Sequence, residues 1–185
     1  MKRLLLIVLV SLFGFQLSAT SQELVGSTRT LESAQRQHRE KLKQAGVVEL
    51  VGVCRAQNTL QGRQGVKSAA AALYADACVR QLAARIKADK KATYGEEELR
   101  QFEALQARYA TLLKEFVEEE VSLSFMVREK HSDGDEYKGF FTLNEEVASH
   151  LRLQALERMP QDDMAQKWVR AALSFVSEPV SVKVK

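Results

Sequence analysis

Hydrophobic residues recur at helical spacing over two long parts of the chain. Between Val66 and Ala88 they form one stripe, three to four residues apart, and alanine, the best helix former, fills much of the run. Leucine and aromatic residues keep the same spacing up to Glu119, after a Thr93…Glu96 pair that matches a helix capping box. The pattern therefore predicts two long helices, 66–88 and 93–119.

Two shorter helices are predicted nearer the C-terminus. Asn144 is a favourable N-cap, and apolar residues keep helical spacing from there to the first of the two prolines. Asp162 or Asp163 then restarts a helix, which ends before the second proline. The tail 180–184 alternates valine with polar residues, so it either adds an edge strand or frays.

A different periodicity marks three strands. Residues 47–54 are β-branched and apolar on both faces, which is typical of an interior strand. Apolar and polar residues alternate over 121–127 and again over 137–143, so one face of each strand is predicted to be buried. Residues 132–135, with the sequence Ser-Asp-Gly-Asp, have turn composition and predict that the last two strands form a β-hairpin.

These elements predict an α+β fold. A small, mostly antiparallel sheet carries the long alanine-rich helix on one face, and the additional helices pack around it. Residues 47–185 form this single domain. The preceding segment 22–46 is predicted to be helical and loosely docked, because its apolar stripe is narrow, and to end at Gly46.

The first 21 residues match a secretory signal peptide. Lys2 and Arg3 precede an apolar run that ends at Phe15, and small residues follow, so cleavage is expected after Ala19 or after Ser21. The apolar run is shorter than the roughly 20 residues that a bilayer-spanning helix needs, so no stable anchor should remain after cleavage. The alternative is an uncleaved N-terminal anchor. Cleavage predicts a periplasmic or secreted protein.

The charge balance gives no indication of nucleic-acid binding. The full chain has a formal charge of +3, and removal of Lys2 and Arg3 with the leader lowers it to +1. A nearly neutral chain with interspersed charges lacks the basic surface that nucleic acid requires.

The two cysteines leave two alternatives open. Cys54 lies on the first predicted strand and Cys78 on the long helix. In an oxidising compartment an even number of cysteines permits one disulfide. Alternatively, both are buried thiols, because cysteine is among the most buried residue types.

No catalytic or metal-binding pattern stands out in the sequence. The three histidines have no ligand partners at metal-binding spacing, and the serines lie in no G-x-S-x-G or S-x-x-K motif. Asp133, Asp135 and Glu136 have the composition of a calcium ligand set, but turn chemistry explains them as well. We therefore expect no catalytic residue, no metal and no cofactor.

Residues 57–65 predict a loop between the first strand and the long helix. Within it, Gly62, Arg63, Gln64 and Gly65 are arranged somewhat like a phosphate-binding loop, although the GK[ST] ending is missing. A weak anion or ligand site is one interpretation, and a flexible connection is the other.

The hairpin is partly apolar on its second face as well. Phe140 lies on the strand face that Lys138 shares, and Met126 lies on the corresponding face of the other hairpin strand. A hairpin that is apolar on both faces indicates a covering helix or a partner. Phe140, Lys138 and Met126 are therefore predicted to form an interaction surface.

Two segments resemble the Lpp-twenty-type bacterial envelope lipoprotein domain family. The strand Val-Glu-Leu-Val-Gly-Val-Cys-Arg-Ala at 48–56 and the alanine-rich helix that ends in Leu-Ala-Ala-Arg-Ile at 82–86 carry the resemblance, and the later hairpin follows in the same order. It covers about residues 46–90 and 120–145. It implies a non-enzymatic envelope protein with a small sheet under a long helix. The chain departs from the family in lacking a lipidation cysteine and in having the extra helix 93–119.

Together these observations favour an exported, non-catalytic binding or assembly protein. Its expected partners are other envelope proteins or further copies of itself. The alternative is a small-ligand binding module that uses the 57–65 loop and the helix N-terminus. A hydrolase is a third class, which would need polar groups that the sequence does not bring together.

Overall fold

The computed structural model describes most of the chain, namely Gln37, Lys41, residues 45–91 and residues 93–182. The chain divides into two units, Met1–Lys41 and Leu42–Lys185. In the first unit, Gln37 and Lys41 are helical and exposed. The predicted signal peptide lies outside the described residues, as does most of the predicted helical segment that follows it.

The second unit is an α+β fold, as predicted. Its described residues form, in chain order, β1 (Val47–Ala56), α1 (Thr59–Ala88), α2 (Glu96–Glu120), β2 (Ser122–Glu129), β3 (Asp135–Asn144), α3 (Glu145–Glu157) and α4 (Asp163–Leu173). The strands form one antiparallel sheet in the order β1-β3-β2. Helix α1 packs on the sheet, α2 packs on α1, and α3 and α4 pack against α2 and each other.

The hairpin and its neighbouring caps agree with the prediction. Strands β2 and β3 are joined by a turn in which Gly134 has a φ of +123°, a conformation that favours glycine. Asn144 caps α3 by accepting hydrogen bonds from two backbone N–H groups of its first turn. Asp162, rather than Asp163, caps α4 and accepts from the N–H of Ala165.

Strand β1 is an edge strand, so the prediction of an interior strand over 47–54 is wrong. Among the strands that the structure describes it pairs only with β3, which lies in the centre of the sheet between β1 and β2. Its apolar residues on both faces have two separate causes. One face lies under α1, and the other belongs to an exposed apolar surface that is described below.

The loop predicted over 57–65 is also wrong, because α1 already begins at Thr59. Asn58 is its N-cap, and the Asn58 side chain accepts a hydrogen bond from the N–H of Gln61 at 3.0 Å. The glycines that indicated a loop therefore lie inside a helix, where glycine ordinarily lowers stability.

Close packing explains the two helical glycines. A Cβ at Gly62 would lie 2.5 Å from the ring of Tyr137, and a Cβ at Gly65 would lie 2.5 Å from Sγ of Cys54. Both distances are shorter than any normal carbon contact. The first turns of α1 therefore lie directly on the sheet, and side chains larger than glycine do not fit between them.

The sheet contributes its own glycines to the same contact. A Cβ at Gly52 would lie 1.8 Å from the carbonyl oxygen of Val66 and 2.9 Å from the amide nitrogen of Ala70. Gly139, which pairs with Gly52 across the two strands, would place a Cβ 2.7 Å from Cγ2 of Val66. The backbone of α1 thus rests against the backbone of the sheet.

Two boundary predictions need correction. Helix α2 is capped at Gly95, whose N–H donates to the carboxylate of Glu98 at 3.0 Å, so Thr93 and Glu96 do not form the predicted capping box. The tail forms no strand in its described part, which ends at residue 182. It packs along the core instead, and Nε2 of Gln81 donates to the carbonyl of Pro179.

We predict that Gly52→Ala destabilises the protein by about 2–4 kcal/mol, because the new methyl group must displace the backbone of α1. Gly95→Ala is the matched control, since its Cβ would meet nothing closer than 4.0 Å and the backbone φ is −69°. It should change the free energy of unfolding by less than about 1 kcal/mol. Urea denaturation measures both, and equal effects of the two substitutions would contradict the close approach.

Candidate interaction surface

A buried cluster of polar side chains surrounds Arg152. The Arg152 side chain is 2% exposed. It donates to Oε1 of Glu145 at 2.9 Å, to the carbonyl of Val176 at 2.8 Å and to the hydroxyl of Tyr74. These bonds connect α3 with α1 and with the segment after α4.

Burial in this cluster keeps the Cys78 thiol and the Tyr74 hydroxyl protonated. Burial raises the pKa of the Cys78 thiol to about 12, although the nearby Arg152 opposes this shift. Burial likewise raises the pKa of the Tyr74 hydroxyl. Burial lowers the pKa of Arg152, but Tyr74 and Glu145 outweigh that effect and stabilise its charge. The arrangement is that of a structural ion pair, with a thiol that is neither exposed nor ionised.

We predict that Arg152→Met lowers the free energy of unfolding by about 3 kcal/mol, because it leaves Glu145 and the carbonyl of Val176 without a partner. Arg85→Met is the control. Arg85 forms an exposed ion pair with Glu178 at 2.8 Å, and losing it should cost less than about 1 kcal/mol. If both variants unfold at the same denaturant concentration, the cluster does not have this structural role.

The two cysteines are free thiols, so the disulfide alternative is wrong. Sγ of Cys54 donates to the carbonyl of Gly62 at 3.3 Å and lies beside Gly65. Cys78 lies 13 residues further along α1 than Gly65, which at 1.5 Å per residue is about 20 Å. A disulfide needs Cα atoms within about 7 Å of each other.

Thiol titration of denatured, unreduced protein should therefore find two free thiols per chain. In the folded protein Cys78 should react with iodoacetamide far more slowly than in denaturant, because the raised pKa and the burial keep the thiolate rare. Mass spectrometry of alkylated peptides separates the two positions. A peptide pair that joins Cys54 to Cys78 would contradict the structure.

The predicted anion site at Gly62, Arg63, Gln64 and Gly65 does not form as a loop. All four residues belong to α1, and the N–H of Gly62 already donates to the carbonyl of Asn58. Beyond the first turn, the N–H groups of a helix donate to its own carbonyls and do not reach a ligand. The side chains of Arg63 and Gln64 are exposed.

Two of the three acidic residues at the hairpin turn, Asp133 and Asp135, form ion pairs. Asp133 accepts from Arg55 at 2.7 Å, and Asp135 pairs with Arg128. Over residues 45–91 and 93–182 the structure contains no group of three or more side chains that could hold a metal ion.

A β-bulge reverses the predicted faces of β2. Leu123 pairs with Phe141 and Phe125 pairs with Phe140, so Ser124 is an extra residue in β2. Alternation restarts after it, and Phe125 and Val127 point away from α1 although the sequence pattern predicts that they are buried.

Met126 is therefore misplaced in the predicted interaction surface. It pairs with Gly139 on the side of the sheet that α1 covers, and it packs against the core. A single inserted residue exchanges the two faces of all the residues that follow it in a strand. The prediction for Phe140 differs, because β3 has no bulge and this ring lies on the side away from α1, as does Lys138.

The side of the sheet away from α1, which we call the outer face, carries an exposed apolar band. Phe125 is 55% exposed, Val127 51% and Val53 48%. The rings of Phe125 and Phe140 stack with their centroids 4.2 Å apart and their planes at 16°. The band comprises these three residues and the half-buried Val51 and Phe140, and it crosses all three strands.

One cation lies in the middle of this band. Lys138 pairs with Val53 on one side and with Val127 on the other. Its Nζ lies 5.4 Å from the centroid of the Phe140 ring, and no ion pair holds it among the residues that the structure describes. The surface thus combines apolar side chains on all three strands with the positive charge of Lys138.

Comparisons with known proteins add no identification: no family model, curated protein or solved structure matches this chain. The resemblance to the Lpp-twenty-type family therefore stays a prediction. No helix of the described ranges is long and apolar enough to cross a membrane.

Proposed function

We propose that this is an exported, non-catalytic protein of the periplasm or cell envelope that binds proteins through the outer face of its sheet. The exposed apolar band is the observation that carries the proposal. The signal-like N-terminus supports the location, and other envelope proteins or further copies of the chain are the proposed partners.

The composition of the band supports a role in protein contacts. Soluble monomers rarely expose large contiguous apolar patches, and such a patch with a polar border is typical of an interface. Here Phe125 on the edge strand β2 stacks on Phe140 of the central strand β3. Aromatic side chains are enriched among the residues that dominate binding energy, because they bury a large area and lose few rotamers.

The position of the band on one face of an open sheet also favours a protein over a small ligand. A small-molecule site is a concave pocket that encloses most of its ligand. The alternative of a small-ligand module depended on a loop over 57–65, and those residues from Thr59 onward belong to α1. No observation in the described residues favours that alternative over the outer face.

A photo-crosslinking amino acid at position 127, introduced in the producing cell, tests this proposal. Val127 is half exposed on β2, within the part of the apolar band that lies at one edge of the sheet, so we expect adducts heavier than one chain. The matched control is position 60, since Leu60 is 69% exposed on α1 but lies outside the band.

The contrast between the two positions decides the outcome. Adducts at position 127 that greatly exceed those at position 60 would support binding through the outer face. No protein adducts at position 127, or equal yields at both positions, would contradict it. Fractionation of the same cells tests the location, since chain that keeps Met1 in the cytosol would contradict export.

A further inference from the structure

The outer face consists of four rows of side chains that run across the strands. In the order β1, β3, β2 the register gives Glu49, Thr142 and Ser122, then Val51, Phe140 and Phe125, then Val53, Lys138 and Val127, and finally Arg55, Glu136 and Glu129. The second and third rows contain the apolar band. A partner must therefore offer apolar side chains at the centre and a favourable contact for Lys138.

We infer that the partner is a second copy of this chain, packed face to face about a two-fold axis that lies between the second and third rows and runs parallel to them. This inference rests on the proposed function, because it requires that the outer face binds protein. Under this symmetry each strand lies over its own counterpart in the opposite direction. Twisted sheets pack in this way with their strands about 30° apart.

The symmetry brings the second row of each copy against the third row of the other. Phe125 then faces Val127 of the second copy, and Val51 faces Val53. In a two-fold interface every such contact occurs twice. Apolar side chains thus meet apolar side chains at both edges of the sheet.

The same symmetry also accommodates Lys138, which faces Phe140 of the second copy. Within one chain the Lys138 ammonium already lies 5.4 Å from the centroid of the Phe140 ring, so it already makes a cation–π contact. A cation over an aromatic ring is attracted by the ring quadrupole, more strongly when water is excluded. The Lys138 ammonium at the centre of the band then contacts an aromatic ring of the second copy and is not buried without a partner.

The outer rows distinguish this axis from its neighbours. Here the first row of one copy meets the fourth row of the other, which brings Arg55 opposite Glu49. Glu136 then lies opposite the hydroxyl of Thr142, and Glu129 lies opposite the hydroxyl of Ser122. An axis on the third row would place Lys138 against its own copy. An axis between the third and fourth rows would place Val127 against Glu129.

The size of the face indicates a weak dimer. Three strands about 4.8 Å apart and eight residues long give an area of about 400 Å² per copy, or about 800 Å² in total. Stable complexes usually bury about 1,200–2,000 Å². We therefore expect reversible dimerisation with a Kd of roughly 10 µM to 1 mM.

A pair of charge variants on β2 tests the geometry. In Val127→Glu the carboxylate faces Phe125 of an identical copy, and in Phe125→Lys the ammonium faces Val127. Each variant alone should raise the Kd at least about tenfold, because a charge is buried against an apolar side chain. Mixing the two variants gives one Glu–Lys pair and one native Phe–Val pair, and should restore the Kd to within about threefold.

Sedimentation equilibrium of the purified protein from about 5 µM to 1 mM measures these constants. Leu60→Glu is the control, since Leu60 is exposed on α1 and lies outside the outer face. The Kd of the Leu60→Glu dimer should equal that of the native dimer. Thermal unfolding confirms that each variant is folded. The mixed dimer of Val127→Glu with Leu60→Glu should stay weak, which shows that the rescue needs the Phe125→Lys variant.

A native chain that stays monomeric throughout this range would overturn the inference, as would single variants without effect or a mixture without rescue. If the chain is monomeric while position 127 still crosslinks to another protein in cells, the proposed function stands and the second copy is wrong. If position 127 crosslinks to nothing, both fail.

Discussion

The contact between α1 and the sheet determines how the rest of the molecule is arranged. The carbonyl of Val66 occupies the space where a side chain at Gly52 would be, and Gly139 leaves room for the Val66 side chain beside it. Because the helix lies this close, it buries Leu50, Phe141 and Tyr137 on the inner face. Helix α2 packs on α1, and α3 and α4 pack mainly on α2, so the helices of the described ranges leave the outer apolar band exposed.

The bulge at Ser124 connects this fold with its proposed function. Without the extra residue, Phe125 and Val127 would lie on the inner face, as their alternation predicts, and the outer face would carry polar side chains from β2. With it, an exposed aromatic ring stacks on Phe140 and the apolar band reaches the second edge of the sheet. Bulges are frequent where a strand must redirect side chains for function.

Much of the fold was predictable because its signals are local. The alanine-rich helix, the hairpin turn and the Asn144 cap each depend on residues that are neighbours in sequence. The errors concern long-range packing. Gly62 and Gly65 have loop composition, but they are required by the ring of Tyr137 and the thiol of Cys54, which lie elsewhere in the chain.

The candidate surface was predicted only in part, for the same reason. Phe140 and Lys138 lie on a regular strand, so alternation placed them correctly on the outer face. Alternation cannot reveal an inserted residue, and it therefore misassigned Met126, Phe125 and Val127. The sequence pattern also could not predict that β1 is an edge strand, because its partner β3 lies about 90 residues further along the chain.

The central claim is that the outer face is an apolar surface made for a protein partner. Hydroxyl-radical footprinting across a dilution series tests it most directly, because it reads the solvent access of single side chains. Phe125 should be oxidised readily in dilute protein and increasingly protected as the concentration rises, while Leu60 stays equally accessible throughout. A Phe125 ring that is protected at every dilution, as the buried Phe141 should be, would contradict the structure, and one that is equally accessible at every concentration would contradict the assembly.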